Sequence, residues 1–465
     1  MVRQLSKDPQ AAAATPPTEQ SSPATPSPDA QLTWEGAQEM QSRRATSSKL
    51  LETEGGGVLR LPEGSVIDMG DVDIEVSEDE TMIINMGPQH PSTHGVLRLM
   101  LELQGETILR TKPVVGYLHT GMEKTAEELM YIQEGTNVTR MDYLSPFYNE
   151  LVYCLAVERL LEVDVPPRAT WIRMLMCELN RVTSHLVSIA TMGGELGATT
   201  VLIVGFRERE LLLAFFEKVT GLRMNHNYFR PGGVAADLPD GWRDDVLAIC
   251  DTMDRRLNEY DTLIARQPLF HQRMAGVGAI TADQAVALGA TGPILRSTGV
   301  PADLRRDEPY LAYDAVDFDV MVGSAGDCWD RFLIRLNEIR ESIRIARQIL
   351  DLLPPGDFRT QDRKVTPPPR ARIDESMEAL IHHFKLFTEG FRVPTGETYA
   401  AIESPRGELG CYLVSDGSNK PYRLHIRAPS FTNLQTLAPM LRGALVADAV
   451  PVIASIDPVM GDVDR

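Results

Sequence analysis

The chain has 465 residues, of which 43% are hydrophobic and 24% charged, a globular composition long enough for about three structural units. The 46 basic and 65 acidic residues leave a net charge of −19, which excludes nucleic acid and anionic lipid as favoured ligands. The five cysteines stand apart, with no C-x-x-C pair: Cys154, Cys177, Cys250, Cys328 and Cys411. This spacing is typical of free thiols in a reducing compartment and argues against a metal or cluster bound by this chain alone.

Residues 1–57 are rich in Ala, Pro, Ser, Thr and Gln and predict a disordered extension, because so few apolar side chains cannot offset the entropy lost on ordering. The segment lacks the apolar stretch of a secretory signal. Asp8, Glu19 and Asp29 also argue against a mitochondrial transit peptide.

Alternating apolar residues over 58–117 predict a small β unit, with a turn at Gln104-Gly105-Glu106. From 118 to 360 the apolar spacing becomes three and four residues, which predicts a bundle of five or six long helices. The region 361–465 predicts paired strands followed by a final helix near 433–448. The apolar stretch 186–206 predicts a buried helix pair and no bilayer span, since it contains glycines and Glu195. The expected fold class is α+β, with a dominant helical core.

His90 and His94 lie in the segment GPQHPSTHGVLR. Two histidines four residues apart bind metal when they share a helical face, but Pro91 between them favours a loop. The alternative is a pair of loop histidines hydrogen-bonded to the backbone. No third ligand follows nearby, so no metal site is predicted.

Two further candidates stand next to predicted helix ends. Tyr143 lies in TRMDYLSPF, where Ser145-Pro146 predicts a helix start; the tyrosine could donate to a bound carbonyl, or the segment could serve only as a cap. Glu195 is the one formal charge between Arg181 and Arg207. Such a carboxylate is either a site residue with a raised pKa or a helix-end group facing solvent.

Seven motifs together resemble, in order, the 49 kDa component of respiratory complex I, also called its D subunit: INMGPQHPSTHGVLRL, GYLHTGMEK, TRMDYLSPF, ELNRVTSHL, FRERE, RPGGVA and SIDPVMGDVDR. That family is related to the large subunit of nickel–iron hydrogenases, whose metal is held by two cysteine pairs. The corresponding positions here are Asp142 and Ser145, then Val459 and Asp462. The thiolate ligands of a hydrogenase are therefore absent.

The resemblance implies a quinone site in the vacated cavity. It implies that His94 and Tyr143 hydrogen-bond the two quinone carbonyls, with His90 nearby, and that Glu195 replaces the family's aspartate as the ion-pair partner of His94. Arg140 would lie near a 4Fe–4S cluster of a neighbouring subunit. Asn225 stands where many members have a histidine near that cluster, with His226 one residue further on.

The implied function is reduction of ubiquinone or menaquinone by electrons from NADH, coupled to proton translocation. NAD would be bound by another component of the complex, and the expected partners are the B, C and H subunits. The expected location is the cytoplasmic side of a bacterial plasma membrane, as a peripheral protein. Two alternatives remain: a related dehydrogenase fed by a deazaflavin or ferredoxin, and a non-catalytic assembly scaffold.

Overall fold

The structure, a computed structural model, describes residues 81–465. The predictions of a disordered extension over 1–57 and of strands between 58 and 80 lie outside the described residues. Mixed helices and sheets in the described part confirm the α+β fold class.

The first sheet contains β1 (Thr81–Met86), β2 (Arg98–Gln104) and β3 (Thr107–Val114), in that order. β2 and β3 form an antiparallel hairpin whose turn lies at Gly105, as predicted. Leu99, Leu101 and Leu103 alternate along β2 and are all buried, because every second side chain of a strand points to the same face.

The middle of the chain is helical, as the apolar spacing predicted. Its early helices are α1 (Met122–Ala126), α2 (Tyr131–Val138), α3 (Pro146–Leu161), α4 (Pro167–Glu195) and α5 (Thr199–Thr220). A two-residue hairpin follows, β4 (Phe229–Arg230) with β5 (Gly233–Val234). The later helices are α6 (Trp242–Tyr260), α7 (Pro268–Met274), α8 (Ala282–Ala287), α9 (Pro293–Ser297), α10 (Leu304–Asp307) and α11 (Cys328–Leu352). Five of these helices have 16 or more residues, within the predicted five or six.

The 29-residue helix α4 is the centre of the bundle. Its first helical residue is Pro167, whose fixed φ and missing N–H suit the first turn of a helix. From Ile172 to Met192 almost every side chain is buried, on all sides of the helix. α5 and α11 pack against it, so that its last residue, Glu195, is held by the core of the protein.

The C-terminal part begins with α12 (Arg370–Ile373) and α13 (Met377–Thr388), followed by an antiparallel sheet of β6 (Gly396–Ser404), β7 (Gly407–Ser415) and β8 (Arg423–Arg427). The prediction of one final helix near 433–448 was wrong. Four short helices occupy this region and continue to the end of the chain: α14 (Pro429–Leu434), α15 (Leu437–Leu441), α16 (Val446–Ile456) and α17 (Met460–Asp464). Gly443 and Asp457 have positive φ; Gly443 lies between α15 and α16, and Asp457 between α16 and α17.

The predicted buried helix pair over 186–206 consists of the end of α4 and the start of α5. The first helix is buried, but α5 exposes Ile203 (70%) and Phe206 (43%), so only half of that prediction is correct. Among the described residues, no helix combines the length and the apolar character needed to cross a bilayer.

Candidate functional site

The loop between β1 and β2 carries His90 and His94. It contains a single 3-10 turn, Pro91–Thr93, so the two histidines do not share a helical face. The Nδ1 atom of His90 accepts a hydrogen bond from the backbone N–H of Ser92 at 3.2 Å, which caps the turn. This is the backbone-bonded arrangement that the sequence left open for a loop histidine.

His94 ends the same turn in the left-handed region, with a φ of 54°. Histidine tolerates this conformation better than most residues. Its Nε2 atom is buried and has no hydrogen-bond partner within the described chain. Burial lowers the pKa of His94, and this effect outweighs the opposing charge of Asp457. The imidazole is therefore neutral near pH 7, with an unpaired ring nitrogen.

Tyr143 lies on the loop that leads into α3. Ser145 is the N-cap of that helix and Pro146 its first residue, as predicted. The tyrosine is half-buried, and burial, followed by the charge of Asp142, raises its pKa. Gly461 of α17 packs against this loop: a Cβ at that position would lie 2.4 Å from the carbonyl oxygen of Met141 and 3.2 Å from the Tyr143 ring.

Arg406 joins this loop to the C-terminus. It lies in the turn between β6 and β7 and is 1% exposed. Its Nη1 atom donates to Asp142 Oδ2 at 2.8 Å and to Ser145 Oγ at 3.2 Å. Its Nε atom donates to the carbonyl oxygen of Asp457 at 3.0 Å. The guanidinium thus contacts both residues that stand at the first cysteine pair of the hydrogenases, Asp142 and Ser145.

Asp457 is placed by the end of α16, where it adopts a φ of 55°. Its Oδ2 atom lies 3.1 Å from Arg406 Nη2, close enough for an ion pair. The two atoms are nevertheless not aligned for a hydrogen bond, and each is buried without such a partner. The charge of Asp457 acts on both His94 and Glu195.

Glu195 is half-buried at the end of α4, and its Oε2 atom is buried without a partner. Burial, followed by the charge of Asp457, raises its pKa to about 7. The ion pair with His94 implied by the resemblance is not formed between these two described side chains. Asp457 is instead the carboxylate whose charge acts on His94.

Several buried polar atoms of this region lack a hydrogen-bond partner in the described part of the chain. Within the described residues, none of the following makes a hydrogen bond: His94 Nε2, Glu195 Oε2, Arg406 Nη2, Asp457 Oδ2 and Asp462 Oδ1. Buried polar groups in native proteins are normally paired, so these atoms need a partner from outside the described chain, such as ordered water, an ion or a polar ligand. The donors and acceptors present here suit a ligand with oxygen atoms.

The residues assigned to a partner's cluster lie near the start of α3. Arg140 is exposed, and its guanidinium donates to the Thr136 carbonyl oxygen. Asn225 has a φ of 54° and a buried Oδ1 atom without a partner. The His226 ring stacks on Phe147 at 4.0 Å, and burial lowers the pKa of His226 to about 4. His226 is thus uncharged at neutral pH.

Glu150 of α3 fixes the chain just after His226. Its carboxylate accepts the backbone N–H groups of Asn227, Tyr228 and Phe229 at 2.6–2.8 Å. Burial outweighs these hydrogen bonds and raises the pKa of Glu150 to about 8. This residue was not selected from the sequence, where Glu150 resembled an ordinary first-turn acid.

Within residues 81–465, no three or more His, Cys, Asp or Glu side chains are grouped so as to hold a metal ion. A small cavity opens between α2 and the β4–β5 hairpin, where Tyr131, Asn227 and Arg230 line it. His94, Tyr143 and Glu195 do not line it, so it is separate from the cluster of unpaired polar atoms.

Comparison with known proteins identifies the class of protein to which this chain belongs. The NADH-quinone oxidoreductase D subunit 1 of Streptomyces avermitilis is 52% identical over 446 residues, covering 92% of this chain and all of that protein. The corresponding D subunit of Acidothermus cellulolyticus is 52% identical over 84% of this chain and 93% of its own. The D subunit 2 of Roseiflexus sp. is 54% identical over 83% of this chain and 94% of its own. The class is that of respiratory oxidoreductase subunits.

A sequence model described as "Respiratory-chain NADH dehydrogenase, 49 Kd subunit" matches residues 195–465. The chain belongs to this family, and it is a subunit of the complex I enzyme, NADH-quinone oxidoreductase. The family resemblance drawn from the motifs is confirmed.

Sequence reasoning missed Arg406 and did not assign Asp457 to the site. Asp457 carried a signal, because it stands in the C-terminal motif that aligns with the hydrogenase metal ligands. Arg406 carried none, since an arginine between two strands in the sequence SPRGE is typical of an exposed turn.

Proposed function

We propose that this chain forms one wall of the site where quinone is reduced to quinol, with the headgroup held between Tyr143 and His94. The observation that supports this is the cluster of buried, unpaired polar atoms around Asp457. Two carbonyl oxygens, which become two hydroxyl groups, could pair with donors and acceptors of this kind.

The protonation states support defined roles. Tyr143 holds its proton at neutral pH, because burial and Asp142 raise its pKa. Glu195 is about half protonated near pH 7, whereas His94 is neutral. We assign the two protons of quinol formation to Tyr143 and Glu195. Neutral His94 hydrogen-bonds one headgroup oxygen, and both donors are recharged from solvent.

The electrons would come from NADH through partner subunits, the last donor being a 4Fe–4S cluster held by the B subunit beside Arg140, Asn225 and His226. The C and H subunits would complete the surroundings of the site, and NAD would be bound elsewhere in the complex. The names of the relatives favour NADH over a deazaflavin or ferredoxin as the donor. We further propose that quinone reduction drives proton translocation and that the chain is held by its partners on the cytoplasmic side of a bacterial plasma membrane.

The test is Tyr143→Phe in the assembled membrane complex, with two assays. Reduction of quinone by NADH should fall at least tenfold, because the phenol hydroxyl both binds and protonates the headgroup. Reduction of an artificial acceptor that bypasses the quinone site should be unchanged, which controls for assembly.

A matched control is Tyr153→Phe, since the Tyr153 hydroxyl donates to the Tyr131 carbonyl oxygen at 2.9 Å in the buried core. It loses a tyrosine hydroxyl that is bonded inside the core, and it should retain quinone reduction in whatever complex assembles. If Tyr143→Phe reduces quinone at the normal rate, the proposed site is wrong and an assembly scaffold becomes the better explanation.

A further inference from the structure

The Arg406 guanidinium lies against the loop that carries Tyr143, because its Nη1 atom donates to Asp142 and Ser145 on either side of that residue. It acts on both Tyr143 and His94, the two residues between which the headgroup would lie. The charge of Asp457 also acts on Arg335, a second buried arginine of the region, but Arg335 is not among the charges that act on Tyr143 or His94. The charged and titratable groups around Arg406 are Asp142, Tyr143, His94, Asp457, Asp462 and Arg335.

Of the three guanidinium nitrogens of Arg406, Nη2 makes an ion pair but no hydrogen bond with the described residues. Nε and Nη1 are occupied by Asp457, Asp142 and Ser145. Nη2 is buried and makes no hydrogen bond, although Asp457 Oδ2 lies 3.1 Å away. A buried guanidinium that is fixed by three hydrogen-bond partners, with N–H groups of Nη2 that make no hydrogen bond, is a preorganised donor.

The chemistry of quinone reduction requires such a donor. Conversion to quinol takes two electrons and two protons, and each electron puts negative charge on the headgroup oxygens until a proton arrives. The proposed proton donors, Tyr143 and Glu195, are neutral while they hold their protons, and His94 is neutral as well. A fixed cation beside the oxygens stabilises the developing charge without moving, which is the arrangement that most effectively lowers a barrier of this kind.

We propose that Arg406 is a catalytic residue of quinone reduction, in which Nη2 donates a hydrogen bond to the headgroup oxygen beside Tyr143. This inference rests on the proposed function of the site. Arg406 supplies neither electron nor proton: the electrons come from NADH through the partner subunits and the protons from Tyr143 and Glu195. The guanidinium stabilises the charge that exists between the arrival of an electron and the arrival of a proton.

A purely structural role is the competing explanation, since Arg406 also joins the β6–β7 turn to the loop before α3 and to the C-terminus. The two roles differ in what a substitution changes. A structural role affects how much complex assembles. A catalytic role changes the turnover of each assembled complex and the pH profile of quinone reduction, because Arg406 lowers the pKa values of Asp142, His94 and Tyr143 together.

The experiment compares Arg406→Gln and Arg406→Lys in the whole membrane complex, with activity normalised to the NADH reaction with an artificial acceptor. For Arg406→Gln we expect kcat for a short-chain quinone to fall about 100-fold, the usual cost of removing a preorganised donor. The acid limb of its pH profile, where His94 ionises, should move to higher pH, because loss of the Arg406 charge raises the pKa of His94. For Arg406→Lys we expect about a tenfold loss, since the charge remains but the fixed fork of donors does not.

Arg331→Lys is the matched control. Arg331 is equally buried, and its guanidinium contacts Ser455 and the carbonyl oxygens of Gly326 and Gly278. This variant can reduce the amount of complex, but the normalised turnover and the pH profile should match those of the natural protein.

Normal turnover with an unshifted pH profile in Arg406→Gln would overturn the proposal. If that variant does not assemble, Arg406→Lys decides, and a normal kcat and pH profile there would overturn it equally. Tyr143→Phe, measured in the same series, separates the two hypotheses. If it loses quinone reduction while both Arg406 variants retain it, only the role of Arg406 is wrong; if it also retains activity, the proposed function has failed.

Discussion

Gly461 provides a sensitive test of how the C-terminus positions Tyr143. It is the second residue of α17 and its φ is negative, so helix propensity alone would favour alanine by up to about 1 kcal/mol. The tertiary structure opposes that preference. A Cβ at position 461 would lie 2.4 Å from the carbonyl oxygen of Met141, about 0.6 Å inside the 3.0 Å that Cβ atoms keep from other heavy atoms.

The atoms next to the added methyl group are difficult to move. Met141 O and Arg140 O belong to the backbone of the loop that carries Tyr143, and the tyrosine ring itself would be 3.2 Å away. Relief of the clash therefore requires that the loop and α17 separate by about half an ångström. A displacement of about 1 Å in a reacting group can cost about 100-fold in rate, so we expect Gly461→Ala to reduce kcat for quinone reduction about tenfold.

The assay is NADH oxidation with quinone, beside NADH oxidation with an artificial acceptor, in membranes containing the assembled complex. Gly396→Ala is the matched control, since its Cβ would meet only the Cδ2 methyl group of Leu160 at 3.3 Å, and a side-chain end can move. Normal quinone reduction in Gly461→Ala would refute the reasoning, because it would mean that the position of the Tyr143 loop does not control the reaction.

Two further predictions concern protons. Because the pKa of Glu195 is raised to about 7, its proton is available below that pH and lost above it. Quinone reduction should therefore fall as the pH rises through 7. The Glu195→Gln variant should be slower, and its pH profile should lack this ionisation. A matched Glu195→Asp should keep it, and an unchanged ionisation in Glu195→Gln would exclude Glu195 as its source. Asn225 cannot titrate, and His226 stays neutral with a pKa of about 4. If the proposed 4Fe–4S cluster of the B subunit lies beside them, its midpoint potential should not vary with pH near neutrality, whereas Asn225→His should give a slope of about 59 mV per pH unit. That slope in the unsubstituted complex, measured by redox titration with electron paramagnetic resonance, would contradict the prediction.

The sequence by itself was sufficient for the fold class and for the family. Apolar residues spaced at three and four residues predicted the long helices α3 to α6 and α11, because a helix buries one stripe of its surface. The alternation in β2, β6 and β7 predicted strands for the corresponding reason. Motifs such as TRMDYLSPF and SIDPVMGDVDR identified the family because they are long and occur in order along the chain.

The end of the chain was less predictable. The sequence predicted one helix near 433–448. The structure breaks it at Gly443, where a positive φ ends one element and begins the next. Pro451 lies inside α16, where local propensity alone would forbid a helix. Packing of α16 against α4 and α11 decides in its favour.

Only the tertiary structure decided which charges meet at the candidate site. Arg406 and Asp142 are 264 positions apart, yet their side chains are 2.8 Å apart and fully buried. The family resemblance implied a pair of His94 with Glu195, whereas in the structure the charge of Asp457 acts on His94. The physical reason is that a local pattern determines which face of an element is buried, but not which element covers it. Ion pairs between distant segments depend on which element covers which face. Here the packing of α16, α17 and the β6–β7 turn around the Tyr143 loop determines these pairs.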